Sequence, residues 1–200
     1  MKVLIASGNE HKKEEIKRIL KPIGVKVITA KEIGISLDDV DETGKTFAEN
    51  AYLKAHAAMK KSNMISIADD SGLCVDALGG APGIYSARYA GPNASDSDRI
   101  NKLLENLSDI PNNERTAKFV CSICCVFPDE SVIRAEGTCN GTISKDVSGN
   151  GGFGYDPIFV YSGSTTFAQM SPEQKDKVSH RGNALRTFLR EFIRKTNLIK

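Results

Sequence analysis

The chain has 200 residues, with 27 Lys and Arg against 25 Asp and Glu for a formal net charge of +2, and it is 40% hydrophobic and 26% charged. A chain of this length buries roughly two-thirds of its unfolded surface, so one domain over residues 1–200 can fold without staples; it has no low-complexity tract, and disorder is expected in a few loops at most. So small a net charge excludes the bulk footprint of a general nucleic-acid or membrane-surface binder, and neither is expected as a partner.

Lys2 to Ala6 predicts a buried strand, and its apolar run is too short for a secretion signal or a membrane span. Together with five cysteines, an odd number, this predicts free thiols and a cytoplasmic protein. Ser7 to His11 forms a polar loop into a helix whose Ile16, Ile19, Leu20 and Ile23 recur at helical spacing. Val25 to Thr29 is a second strand, followed by the acid-rich loop Asp38 to Gly44. Thr46 and Glu49 have capping-box spacing and open a helix through Ala51, Ala55, Ala58 and Met59. Met64 to Ala68 reads as a short strand that ends on Asp69 and Asp70.

After a glycine-rich loop, Asp96 is expected to cap a helix carrying Ile100, Leu103, Leu104 and Leu107. Arg115 to Phe127 and Ser131 to Ser144 predict strands of a hairpin turned at Pro128, Asp129 and Glu130. Ser148 to Gly154, SGNGGFG, precedes the apolar segment Tyr155 to Tyr161. Ser171-Pro172 starts a helix, and Ala184, Leu185, Phe188, Leu189, Phe192 and Ile193 mark a longer amphipathic one. Helices and strands alternate early and antiparallel strands come later, which predicts an α/β fold with a mixed sheet.

Four polar clusters are candidates for chemistry. Ser7, Gly8, Asn9, Glu10, His11 and Lys12 lie between a strand end and a helix start, which suits either an anion or an ordinary helix cap; no Walker A pattern is present. Asp38, Asp39, Asp41 and Glu42, with Asp69 and Asp70, offer enough hard oxygens for magnesium, although Asp38 and Asp39 fit a solvated loop better. Asp69-Asp70 closes an apolar strand, where open α/β sheets place ligands. Gly149, Gly151 and Gly154 match GxGxxG, but no helix follows, so a dinucleotide fold is rejected; Phe153 and Tyr155 either line a flat aromatic ligand or belong to a structural hairpin. Lys175 and Ser179-His180-Arg181 lie in a basic C-terminal stretch, with His180 and Arg181 at a helix start where they can reach a ligand together. Cys121, Cys124 and Cys125 lack partners for a zinc set and read as core of a strand, His56 reads as structural, and no nucleophile elbow occurs.

In order, SGNEHK (Ser7–Lys12), ETG with FAENA (Glu42–Ala51), ADDSGL (Ala68–Leu73), GGAPGIYSARYAG (Gly79–Gly91), GGFGYDPIF (Gly151–Phe159) and SHRG (Ser179–Gly182) resemble the inosine triphosphate pyrophosphatase family, also described as dITP/XTP pyrophosphatases. The resemblance implies magnesium-dependent hydrolysis of ITP, dITP and XTP to monophosphate and pyrophosphate, cleansing the nucleotide pool. It also implies a homodimer of an elongated α/β protein, a mixed central sheet with flanking helices and two lobes around a nucleotide cleft. Ser7 to Lys12 would hold the triphosphate, Asp70 would be the general base, and Glu42 and Asp70 would hold Mg2+, with Asp41 as an alternative to Glu42. Ser71, Phe153, Gly154, Tyr155, Asp156, Lys175, His180 and Arg181 would bind the nucleotide.

A donor aimed at the 6-oxo group of hypoxanthine or xanthine would leave adenine mispaired, and His180, Arg181 and backbone near Phe153 are the expected pocket, with Phe153 stacked on the base. Guanine would have to be refused through its 2-amino group. Roles for Asp69 and Arg88 stay open. Two readings compete: a pyrophosphatase of other base preference, as in Maf-type proteins, and a non-catalytic nucleotide- or RNA-binding module that uses the basic tail.

Overall fold

The computed structural model describes residues 1–198, so the last two positions of the expected 1–200 domain lie outside it. Its strands are β1 (Lys2–Ile5), β2 (Lys26–Thr29), β3 (Ser66–Val75), β4 (Thr116–Val126), β5 (Val132–Ile143), β6 (Phe159–Ser162) and β7 (Thr165–Thr166). The helices are α1 (Glu10–Leu20), α2 (Phe47–Ser62), α3 (Asp96–Asn106), α4 (Pro172–Val178) and α5 (His180–Thr196). All seven strands join one sheet in the order β2-β1-β3-β4-β5-β6-β7. β1 runs parallel to β2 and β3, whereas β6 is antiparallel to β5 and β7, so the sheet is mixed as the sequence pattern predicts. The described chain divides into two compact units: residues 1–70, 121–137 and 181–198 form one, and residues 71–120 and 138–180 the other.

In the first unit the two-residue period of a strand sorts the core. Val3, Ile5 and Ile67 pack with Ile16 and Leu20 of α1 and with Ala184, Leu185, Phe188 and Phe192 of α5. Leu4, Ala6 and Ala68 face the opposite way, onto Ala51, Ala55, Ala58 and Met59 of α2. Both faces are covered, which is why the central strands are apolar throughout rather than alternating. β4 obeys the same rule: Cys121, Ile123 and Cys125 join the first cluster and Cys124 and Val126 the second. All five cysteines are free thiols.

The strand expected at residues 64–68 is longer. β3 continues to Val75 and carries Asp69 and Asp70 in its middle. Leu73 and Val75, both fully buried, keep the alternation going, and the Ser86 hydroxyl accepts the Leu73 N–H at 2.9 Å. β1 stops sooner: its register with β3 ends at Ile5 opposite Ile67, and the Ala6 N–H reaches the Ile67 carbonyl at 2.8 Å. The two aspartates therefore lie just past the C-terminal end of β1.

The second unit centres on Leu73 and Val75 of β3, Ile100, Leu103 and Leu107 around α3, and the rings of Phe119, Phe159 and Phe167. Ser95, not Asp96, caps α3. The Ser95 hydroxyl accepts the Asp98 N–H at 3.2 Å, and the Asp98 carboxylate returns to the Ser95 N–H at 2.8 Å. Asp96 is the first helical residue and uses its carboxylate elsewhere. Of the apolar segment 155–161, only the part from Phe159 is strand; Tyr155 to Ile158 form a turn.

One buried cation ties this unit together. Arg115 is 2% exposed, and its guanidinium donates to the carbonyls of Ile143 (2.9 Å), Leu107 (2.7 Å) and Ser144 (3.1 Å). Charged hydrogen bonds of this kind are worth about 1.5–3 kcal/mol each, and their loss strands buried acceptors. Arg115→Met is expected to destabilise the chain by about 3 kcal/mol or more, read as a lower denaturant midpoint, and Arg115→Lys by less. An unchanged midpoint would show that the three carbonyls find water instead.

Candidate active site

The order β2-β1-β3 reverses direction beside β1, and α1 and α2 pack on opposite faces of these strands. In an open α/β sheet the carboxyl ends of the strands at such a reversal form the ligand crevice. Asp69 and Asp70 occupy that position, and the strand period sends their side chains to opposite faces.

Asp69 faces α1 and α5. Its Oδ2 lies 3.2 Å from Lys12 Nζ and 3.0 Å from Arg181 Nη2, and the other side of the Arg181 guanidinium pairs with Glu15. Oδ1 is buried and has no hydrogen-bond partner among the described residues. Burial alone would raise the Asp69 pKa, but Lys12, Arg181 and Lys54 outweigh it and hold the carboxyl well below the usual range. The same environment keeps Arg181 charged. Cys121 Sγ stands 4.0 Å from Asp69, and burial pushes that thiol up to about 12, so it stays neutral.

Asp70 faces α2. Asn50 Nδ2 donates to its Oδ2 at 3.2 Å, and Lys54 Nζ lies 3.5 Å from its Oδ1. The same ammonium lies 3.2 Å from Glu42 Oε2. Burial dominates here: it raises the Asp70 pKa, Glu42 adds to the rise, and Lys54, Lys12 and Asn50 offset only part of it. Two neighbouring aspartates thus have pKa values shifted in opposite directions.

The meeting of Glu42 and Asp70 on one ammonium marks a point where this chain holds positive charge between two carboxylates. Among the described residues no group of three or more His, Cys, Asp or Glu is arranged to bind a metal ion. Two carboxylates nevertheless suit magnesium, which completes its shell with phosphate oxygens and water. Asp38 and Asp39 stand apart on the exposed loop, bonded to Ser36 and Lys61.

Segment 7–12 leads from β1 into α1. Asn9 caps the helix by accepting the Lys12 N–H at 3.1 Å, and its own N–H donates to Ser7 Oγ at 3.2 Å. Glu10 pairs with Lys13 at 2.5 Å, and Gly8 and His11 are exposed. From this segment Lys12 reaches the aspartate pair, through Asp69.

The second unit holds a separate polar group. Lys175, 5% exposed, lies 2.6 Å from Asp156 Oδ2, which also accepts the Phe153 N–H at 2.9 Å. Lys175 Nζ stands 4.7 Å from the Phe153 ring centroid. Gly152 permits this turn: its φ is +70°, and a Cβ there would lie 2.0 Å from Asp156 Oδ2. The Gly154 N–H donates to Asp96 Oδ2 at 2.7 Å, and the Tyr155 hydroxyl donates to the Ser86 carbonyl at 3.0 Å. His180 is buried and stacks on Phe119, with centroids 4.6 Å apart and planes 11° off parallel. Ser71 begins this unit, directly after Asp70. His180 and Arg181, expected to reach a ligand together, belong to different units, the imidazole on Phe119 and the guanidinium on Asp69 and Glu15. Arg88 is exposed and lies over the Tyr85 ring.

Lys54, Asn50, Glu15 and Phe119 were not among the expected site residues. A signal existed for two of them: Asn50 and Lys54 are four apart on α2, on the flank of the Ala51–Ala55–Ala58 stripe. Glu15 and Phe119 carry no local signal, because their partners lie far along the chain.

The chain as a whole is similar to known proteins. The chain is 47% identical over 191 residues to the dITP/XTP pyrophosphatase of Salmonella typhimurium, covering 94% of this chain and 96% of that protein. It is 48% identical over 191 residues to the dITP/XTP pyrophosphatase of Clostridium perfringens, covering 92% and 93%. The Staphylococcus aureus Ham1 protein structure matches with a TM-score of 0.84 and 46% identity over 98% of this chain and 100% of that one. The Mycobacterium abscessus nucleoside-triphosphatase / dITP/XTP pyrophosphatase matches with a TM-score of 0.76 and 43% identity over 94% and 99%. The model of the Ham1 family matches residues 3–191, and on this evidence the chain belongs to the Ham1 family.

Proposed function

We propose that this chain is a nucleoside-triphosphate pyrophosphatase that cleaves dITP, ITP and XTP to the monophosphate and pyrophosphate, removing deaminated purines before they enter DNA or RNA. The observation that carries this reading is the separation of Asp69 and Asp70 onto opposite faces of β3. Asp69 is fixed as an anion by two cations, while Asp70 holds its proton more readily than an ordinary aspartate. Neighbouring groups whose environments push them apart in this way mark an acid–base assignment. The names of the relatives supply the substrate class.

In this reading water attacks the α-phosphorus in line with the bond to the departing pyrophosphate. As the new P–O bond forms and the old one breaks, Asp70 takes the proton of the water, a role that requires it to be ionised beforehand. Lys12 exchanges the Asp69 oxygen for a phosphate oxygen and brings its charge to the leaving group, and segment 7–12 cradles the rest of the triphosphate. Glu42 and Asp70 would hold magnesium, which when bound neutralises charge on the phosphate oxygens. Arg181, 1% exposed, acts through Asp69.

Ser71, Phe153, Gly154, Tyr155, Asp156, Lys175 and His180 take the nucleoside. An ammonium offers only donors; hypoxanthine and xanthine present an oxygen at position 6, while adenine presents a second donor. Asp156 holds Lys175 in place, so adenine meets donor against donor and is refused. The homodimer and the cytoplasmic setting belong to the same proposal, and sedimentation velocity tests the former. No helix among the described residues is long and apolar enough to cross a membrane.

Asp70→Asn is expected to lower magnesium-supported pyrophosphate release from dITP by about 10²–10⁴-fold. Activity within twofold of wild type would remove Asp70 as the base, and orthophosphate as the wild-type product would rule out a pyrophosphatase. Lys175→Met is expected to lower the ratio of kcat/KM for dITP over dATP by about 10–100-fold, the loss of one charged hydrogen bond. An unchanged ratio would place 6-oxo recognition elsewhere.

A further inference from the structure

Glu42 sits on a loop without regular structure, yet its carboxylate is brought to the same ammonium as Asp70. Three side chains of α2 hold that loop. Glu49 Oε2 accepts the N–H groups of Lys45 (2.6 Å) and Thr46 (3.2 Å), and Lys54 takes Glu42 itself. Between them Asn50, 1% exposed, binds loop and strand at once: its Oδ1 accepts the Gly44 N–H at 2.8 Å, and its Nδ2 donates to Asp70 Oδ2 at 3.2 Å. Only an amide of this length offers an acceptor to the loop and a donor to the carboxylate; aspartate would set a like charge against Asp70, and leucine would offer neither group.

Gly44 gives an independent sign that this seat is built to fit. A Cβ added there would lie 2.6 Å from Asn50 Oδ1, 2.7 Å from Glu49 Cβ and 3.0 Å from the Asn50 nitrogen. The loop backbone therefore rests on the first turn of α2 at a distance that leaves room for no side chain.

We propose that Asn50, with Gly44 seated against it, is a positioning residue that docks the Glu42 loop onto Asp70 and so sets the spacing of the two carboxylates that hold the divalent cation. The inference rests on the cation reading given under the proposed function. Residues that orient metal ligands without touching the metal typically account for about 10–100-fold in metal affinity.

The test is titration of the full chain with Mn2+ alone, following the free ion by electron paramagnetic resonance, for wild type, Asn50→Ala, Gly44→Ala and the double variant. Each single change is expected to raise the Mn2+ Kd by about 10–100-fold in protein that still unfolds cooperatively. The double variant should be weaker by much less than the product of the two, since both changes act on one seat. Should Asn50→Ala fail to fold, Gly44→Ala, on the loop side of the contact, carries the measurement. Wild-type Mn2+ affinity in folded variants would overturn this inference alone. Absence of Mn2+ binding by the wild type would overturn the cation reading and this inference with it.

Discussion

The interaction on which the rest of this structure depends is the charge placed at the centre of β3, where buried Asp69 is held between Lys12 and Arg181. Taking a carboxylate out of water costs several kcal/mol, repaid only when opposite charges meet it at short range. Lys12 and Arg181 do so here, while Glu15 balances the other side of the Arg181 guanidinium. Because Lys12 stands on α1 and Arg181 opens α5, the pairing fixes where both helices begin relative to the strand. Removing one partner would leave the others charged and buried, so the network is also a point of fragility.

The strand period then gives the neighbouring residue a different environment. Asp70 points to α2 and finds an amide and one lysine shared with Glu42 instead of two cations. Its charge is only partly compensated, as suits a group that must accept a proton or share a cation. A second buried pair, Asp156 with Lys175, serves the other unit in the same manner, with the carboxylate also fixing the turn at Phe153. Each of these carboxylates is thus held in place by partners within the chain itself.

What the sequence made legible follows from locality. The capping box of Thr46 and Glu49, the Ser171-Pro172 helix start and the apolar stripe of α5 are short-range signals, and all three elements form as the pattern predicts. The reading of Asp69-Asp70 as a strand end was misled by local polarity: two acids resemble a turn, although Leu73 and Val75 carried the alternation onward. Asp96, the expected cap of α3, yields that place to Ser95, because Ser95 and Asp98 bond each other reciprocally across the first turn. Glu15 is invisible to a sequence reading because its partner Arg181 lies 166 residues away, where no local pattern reaches.

The most direct test of the account compares Asp69→Asn with Asp70→Asn by chemical denaturation in chelator at neutral pH. Asparagine mimics the protonated acid, so the opposite pKa shifts require opposite signs. Asp69 favours its charged form, a stabilisation present above its unfolded pKa near 3.8 and lost as pH falls toward its lower folded value, so Asp69→Asn should destabilise at neutral pH. Asp70 favours its neutral form, a stabilisation present at low pH and lost as pH rises through its raised folded pKa. Asp70→Asn should therefore leave stability at neutral pH unchanged or higher, with the advantage over wild type vanishing as pH falls through that pKa. Equal losses of stability in the two variants would contradict the account, because the carboxylates would then occupy equivalent environments.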